Sequence, residues 1–477
     1  MRFFKFLVFF LSVLAFFSIN SCKKDQKILK DKTAKLQFSK DTVLFDTVFT
    51  SIGSATKRLK IYNPYKEKLI ISNIRLKGTA GATYRLNIDG LSSNLAMEVE
   101  LAGRDSLFIF VEVTINPSST LTPFIVEDAI EFETNGNLQE VKLVAWGQNA
   151  HYIYPDRKIE GLPDFSIIGC DTTWTDNTPH IIYGYAVVDS LCKLTIKEGT
   201  KIYFHSGAGL WIYKGGSLKV EGTKDKPVVF QGDRLDNAFA DEPGQWDRIW
   251  INEGSVDNEI NYAIIKNAFI GLQLETLQGN MGNQLKVSNT IIKNMTGIGI
   301  FSRFYNVNAE NVVISNCAQY TLAATLGGEH NYTHCTFANY YSKSDKPRQT
   351  PSVLLNNYNN IQSIPLSVNF ENSILFGDLA NELKFDSNTG AAFNSKFENC
   401  LVKADNTINT SDASVFINCL VNEDPKFKDA RKNDYTLLET SPLIDKGSVS
   451  IANKVPLDIN EKSRLPFPDI GAIEFIP

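Results

Sequence analysis

One short phrase recurs through residues 261–423 and limits what the chain can become. It begins at Tyr262, Asn289, Asn311, His334, Asn372, Asn399 and Asn418. Typical forms are Asn289-Thr-Ile-Ile-Lys-Asn294, Asn311-Val-Val-Ile-Ser-Asn316 and Asn418-Cys-Leu-Val-Asn-Glu423. The recurrence at roughly one coil's length of chain predicts a solenoid. Each phrase is a four-residue apolar run between Asn or turn-prone residues, too short and too β-branched for a helix.

Strand geometry sends alternate side chains to opposite faces. One column then holds the small residues Ala263, Thr290, Val312, Cys335, Ser373, Cys400 and Cys419. Two residues on, the large column holds Ile265, Ile292, Ile314, Phe337, Leu375, Val402 and Val421. Alternate small and large layers fill the interior of a narrow stack of parallel strands. The flanking Asn residues suit the left-handed backbone of a tight corner. Asn267, Asn294, Asn316 and Asn339 are expected to form an amide ladder up the stack. Between the inward columns, Ile264, Ile291, Val313, Ile374, Leu401 and Leu420 form an outward apolar stripe broken only by Thr336. A bare stripe of that length is unfavourable in water, so a cover is expected: the C-terminal tail, residues 341–368 or the N-terminal domain.

These columns resemble the right-handed parallel β-helix of the pectate-lyase-like superfamily over roughly residues 165–430. The resemblance implies a fold and leaves function open, because that fold hosts lyases, hydrolases, adhesins and scaffolds. Residues 183–425 then correspond to about ten coils. The tail motifs Ser441-Pro-Leu-Ile-Asp-Lys-Gly447, Asp458, Arg464 and Asp469-Ile-Gly-Ala-Ile-Glu474 resemble those of β-helix proteins classed as choice-of-anchor Q. Residues 431–477 are accordingly expected to cap the unpaired edge of the last coil, after a helix spanning 166–430.

The first 22 residues read as a signal peptide. Arg2 and Lys5 precede the apolar stretch Phe6–Phe17, which is too short to span a bilayer. The ending Ile19-Asn20-Ser21-Cys22 resembles a bacterial lipobox, with Asn20 a departure from its commonest pattern. That resemblance implies acylation of Cys22, a membrane partner through the lipid, and an outer-membrane lipoprotein that faces the periplasm or the cell surface. Residues 23–35 are charged and read as a tether. Residues 36–148 carry short alternating strands punctuated by Asn63-Pro64, Asp89-Gly90 and Asn135-Gly136. They predict a β-sandwich resembling immunoglobulin-like modules. Residues 149–165, with Pro155, Gly161 and Pro163, read as a linker. The fold class is all-β: sandwich, then solenoid.

A net charge of −5 gives no reason to expect a nucleic-acid partner. An oxidising compartment would permit a bridge between Cys170 and Cys192, which lie outside the small column. The richest acidic run contains Asp233, Asp236, Asp241, Glu242 and Asp247 beside Arg248 and two tryptophans, Trp246 and Trp250. These are the candidate glycan or calcium contacts, although the spacing matches no calcium loop. Lys266 and Lys293 share an outward column and are a candidate basic face for an acidic glycan. His205 reads as a lone structural residue, and no resident cofactor is expected. Three readings stay open: a monomeric envelope protein that binds glycans or surface proteins, a polysaccharide lyase or hydrolase of the same fold, and a spacer without ligand.

Overall fold

The computed structural model describes residues 27–78, 82–118, 124–255, 257–276, 284–343 and 347–477. Cys22 and the signal segment lie outside the described residues. The chain forms two compact units, Met1–Gln148 and Asn149–Pro477.

The first unit is a sandwich of two five-stranded sheets. Ser106–Ile115 shows how the sequence builds it. Its alternation buries Leu107, Ile109, Val111, Val113 and Ile115 in one core with Ile130, Phe132, Val141 and Leu143 of the other sheet. Asn135-Gly136 and Asp89-Gly90 each supply two consecutive positive-φ residues, the backbone a tight hairpin needs. Thr42–Phe49 joins its sheet in parallel, beside Asn137–Gln148.

The tether expected over 23–35 is shorter than that. Its last nine residues run along the sandwich. Leu29 N–H donates to Lys68 O, the Asn135 amide to Leu29 and Asp31 carbonyls, and the Asn137 amide to Lys32 and Ala34 carbonyls. Ala34 is buried there, so its charged neighbours conceal an apolar foothold.

The second unit is a parallel β-helix with sheets of eleven, nine and ten strands, here called sheets I, II and III. The phrase region lies in sheet I and pairs as its columns require. Ile264, Ile291, Val313, Thr336, Ile374, Leu401 and Leu420 are successive partners, one per coil. The small and large columns face the core. In sheet III an inward aromatic file, Tyr332, Phe370, Phe397 and Phe416, stacks at 5.0, 4.9 and 4.9 Å between centroids. Offset stacking adds about 0.5–1.5 kcal/mol per pair beyond burial.

The corner from sheet III into sheet I is a left-handed residue in every phrase. Tyr262, Asn289, Asn311, His334, Asn372, Asn399 and Asn418 have φ between 46° and 54°. Asn is over-represented there because its side chain tolerates that conformation. The expected ladder at the other end of the phrase is largely absent. Asn294 donates to Asn267 at 3.4 Å, but Asn316 donates to Asn433 and Asn339 accepts from Cys317 N–H. The loop after Gly232 takes the Asn267 and Asn294 amides through Ala240 O and Asp241, and Asn433 of the tail takes that of Asn316. Amide ladders do form at the entry corner, Asn311 to Asn289 to Asn261, and on sheet III, Asn369 to Asn331 to Asn308.

Two boundaries also move. Within the supposed linker 149–165, His151–Ile153 pairs in parallel with His180–Ile182, so the solenoid starts there. Phe165–Ile167 likewise pairs with Tyr185–Val188. The tail is not an end cap alone. After the hairpin of Phe427–Asp429 with Asp434–Leu437, it runs back along the outer face of sheet I as a strap. Leu437, Leu443 and Ile470 cover Ile374 and Leu401, while Tyr435, Ile459 and Ala472 cover Val313. Even Thr336, the polar break in the stripe, is used: its hydroxyl accepts from Ala472 N–H at 3.1 Å. Asn372 exchanges two hydrogen bonds with Ser448, and Arg464 reaches Asn311 at 2.7 Å.

The tail motif residues are what hold the strap in shape. Arg464, 1% exposed, pairs with Glu474 inside the strap. Asp458 accepts from Glu474 N–H, and Asp469 accepts from Phe475 and Asp445 N–H. Burial raises the Glu474 carboxyl to about 7 against the pull of Arg464.

Candidate functional site

The acidic run does not converge. Asp233 meets His205 at 2.7 Å, Asp236 meets Arg234 at 3.9 Å, and Asp241 meets Lys293 at 3.3 Å. Glu242 meets Lys343 at 3.5 Å, and Asp247 is shared by Arg248 and the Tyr185 hydroxyl. Each carboxylate thus has its own partner. Among the described residues no group of three or more His, Cys, Asp or Glu is placed to share a metal ion. Calcium requires six to eight converging oxygens, and this loop does not fit it. Trp246 is no sugar platform either. It is 1% exposed, lies flat against Phe204 at 4.2 Å, and donates to Lys266 O.

Lys266 and Lys293 are adjacent in register, but their ammonium groups hold the acidic loop. Lys266 donates to Ala240 O at 2.9 Å, and Lys293 pairs with Asp241. Burial, then the neighbouring Lys293, lowers the Lys266 pKa. Both line a groove of about 420 Å³ floored by Val229, Ile264 and Ile291 and bounded by Ile459 and Ile473 of the strap. The basic pair is therefore a wall of this groove and not an open cationic face.

The uncovered upper coils of sheet I gather a different set. Strand register brings Ile153, Ile182 and Phe204 into one inward column, so the next residues Tyr154, Tyr183 and His205 follow one another on successive coils. Tyr154 and Tyr183 stack at 4.9 Å, and Tyr183 lies 4.6 Å from the His205 ring. Tyr152 stacks on Tyr154 at 6.0 Å. Tyr154 is 57% exposed, and the His205 side chain 51%. The next coil contributes Asp233, whose carboxylate accepts from His205 Nδ1. That contact fixes the ring's orientation and leaves Nε2 free for a further hydrogen bond at the half-exposed edge of the ring. Burial, with Asp233 nearby, pushes the Tyr183 phenol up to about 12, so it stays a neutral donor.

A second outward cluster occupies the adjoining coils of sheet II. Trp211 and Trp250 stack at 4.7 Å, and Tyr213 stands edge-on to Trp211. Below Trp250, the buried Glu275 accepts from Trp250 Nε1 at 3.2 Å, Gln273 at 3.2 Å and Arg303 at 3.0 Å. Arg248, bound to Asp247 and Gln273, lies over the half-exposed Phe269 ring. Trp211 and Glu275 are themselves buried, and the exposed members of this second cluster are Tyr213 and Phe269.

Of the residues singled out from sequence, only Asp233 enters the sheet I constellation, and Asp247, Arg248 and Trp250 belong to the sheet II one. Tyr154, Tyr183, His205, Trp211, Glu275 and Arg303 were not singled out as site residues. The available signal was a recurrence of aromatic residues one coil apart, hidden because the upper coils lack the Asn-bounded phrase. Cys170 and Cys192 are joined by a disulfide between the first coils of sheet III.

Fold and outward clusters define the class: a parallel β-helix behind an N-terminal β-sandwich. No protein-family model matches the chain, and no curated protein matches it. Two solved structures match it over about a quarter of its length. One is a family 123 glycoside hydrolase from Clostridium perfringens, at 6% identity and TM-score 0.17, covering 23% of each chain. Another is the E. coli chaperone DraB, at 10% identity and TM-score 0.17, covering 25% of this chain and 55% of that one.

Proposed function

We propose that this protein is a lipid-anchored protein of the bacterial envelope whose upper solenoid coils bind glycans. The observation that carries the reading is the exposed tyrosine file Tyr154–Tyr183 ending on His205, held by Asp233. Aromatic rings supply apolar area at low entropic cost, and a preoriented imidazole can hydrogen-bond a sugar hydroxyl without reorganising. The lipobox-like Cys22 supports the anchor, with display on either face of the outer membrane.

A glycan array probed with the full chain tests binding. Tyr154→Ala with Tyr183→Ala is expected to abolish the array signal, and an unchanged signal would remove the basis of the reading. Labelled palmitate incorporation that Cys22→Ser eliminates tests the anchor.

A second reading, a polysaccharide lyase, rests on the same dyad. His205 would be the proton acceptor of such a reaction, and Arg234 lies next to Asp233 in sequence. Unsaturated uronate products detected by ultraviolet absorbance, and lost in His205→Ala, would favour it over binding alone.

A further inference from the structure

The inward cysteines of sheet I are not equivalent. Leu401 and Leu420 are register partners, so Cys400 and Cys419 sit directly over one another on the last two coils. Adjacent parallel strands lie about 4.8 Å apart, inside the Cα separation a disulfide requires. Both thiols are free and donate to carbonyls of the coil above, Cys400 to Phe370 O and Cys419 to Phe397 O, each at 3.4 Å. Their relation repeats one already bonded. Thr172 pairs with Leu194, which places Cys170 over Cys192 in the same way on the first coils. Cys335 has no such neighbour, because Ser373 separates it from Cys400 in the column. Cys317 pairs in register with Met295.

We propose that Cys400 and Cys419 form a second disulfide that closes the last coil of the solenoid, as Cys170–Cys192 closes the first. Reactivity favours one order of events. Cys419 is the half-buried partner, and the neighbouring Cys400 lowers its pKa, whereas burial raises that of Cys400. The Cys419 thiolate attacks an external disulfide RSSR, forms a mixed disulfide and releases one RSH. Cys400, as its thiolate, then attacks Cys419 Sγ and releases the second RSH. Two protein thiols and one RSSR thus become one protein disulfide and two RSH. The bond matters where it falls, because among the described residues Leu420–Val421, a two-residue strand, is the last of sheet I.

The test uses the full chain incubated with oxidised glutathione, unfolded without reductant in an alkylating agent, and digested. The expected result is a peptide pair linked through Cys400 and Cys419 and lighter by two hydrogens, with Cys317 and Cys335 alkylated. Amide exchange over residues 400–421 should slow about tenfold or more on oxidation. Cys419→Ser should show no such slowing while keeping the Cys170–Cys192 link. Alkylation of both Cys400 and Cys419, or glutathione retained on Cys419, would overturn the proposal.

Discussion

The upper and lower halves of sheet I share one backbone plan and differ in what lies outside them. In the lower half the outward residues Val313, Ile374 and Leu401 are buried under the strap. In the upper half Tyr154, Tyr183 and His205 meet solvent, and Ile264 and Ile291 are only half-buried in the groove between the two regions. A solenoid thus makes its side faces separately: one is apolar and covered, another polar-aromatic and open. The difference teaches that an outward stripe on a β-helix is read by what the rest of the chain does with it, since only the covered half required a covering segment.

The largest expected break comes from the strap's buried charge pair. Arg464→Ala leaves Glu474 without its cation and should cost about 3–5 kcal/mol. Hydrogen exchange should show residues 441–475 exposed while the sandwich keeps its protection. Equal loss in both units would contradict a strap held locally. Next, Leu401→Ala under the strap should cost about 2–5 kcal/mol in urea unfolding of the second unit. Ile264→Ala, at the half-open position, should cost visibly less. Equal costs would mean the strap does not distinguish the halves.

Acid sharpens the same contrast. Burial pushes His180 and His330 down to about 4 and lowers His334 as well, so each is neutral in the fold. The unfolded chain, with imidazoles near 6.5, binds these protons first, so stability falls as pH drops from 6.5 toward 4. Glu474 acts in the opposite sense, because its raised folded pKa adds stability as pH falls from about 7 toward 4.5. Glu474→Gln should therefore steepen the acid decline of the urea midpoint, and an unaltered slope would refute that assignment. The smallest stability effect belongs to the open half. His205→Ala and Asp233→Asn remove an exposed pair and should change stability by about 0–1 kcal/mol. The same variants should weaken glycan binding on the array.

Much of the solenoid was legible because its signal is local. The small and large inward columns, the left-handed Asn corners and the demand for a cover over Ile374 and Leu401 all follow from strand alternation and burial. Other features were misplaced for a physical reason in each case. The Asn267 column lost its ladder because one long loop and the returning tail claim the amides. The linker turned out to carry a rung because His151–Ile153 has a partner only 29 residues later. The charged tether was drawn onto the sandwich by Asn135 and Asn137, more than a hundred residues away. His205 looked solitary because its carboxylate lies one coil on, and coil length varies.

Alone, the sequence determined the repeated rung, its inward layers and the need to hide an apolar stripe, since these depend on side-chain alternation and hydration within a few residues. Tertiary structure alone decided that the tail doubles back along sheet I, that each acid of the run finds its own partner, and that His205 meets Asp233. Those outcomes depend on how coils of unequal length register in space, a quantity no short stretch of chain encodes.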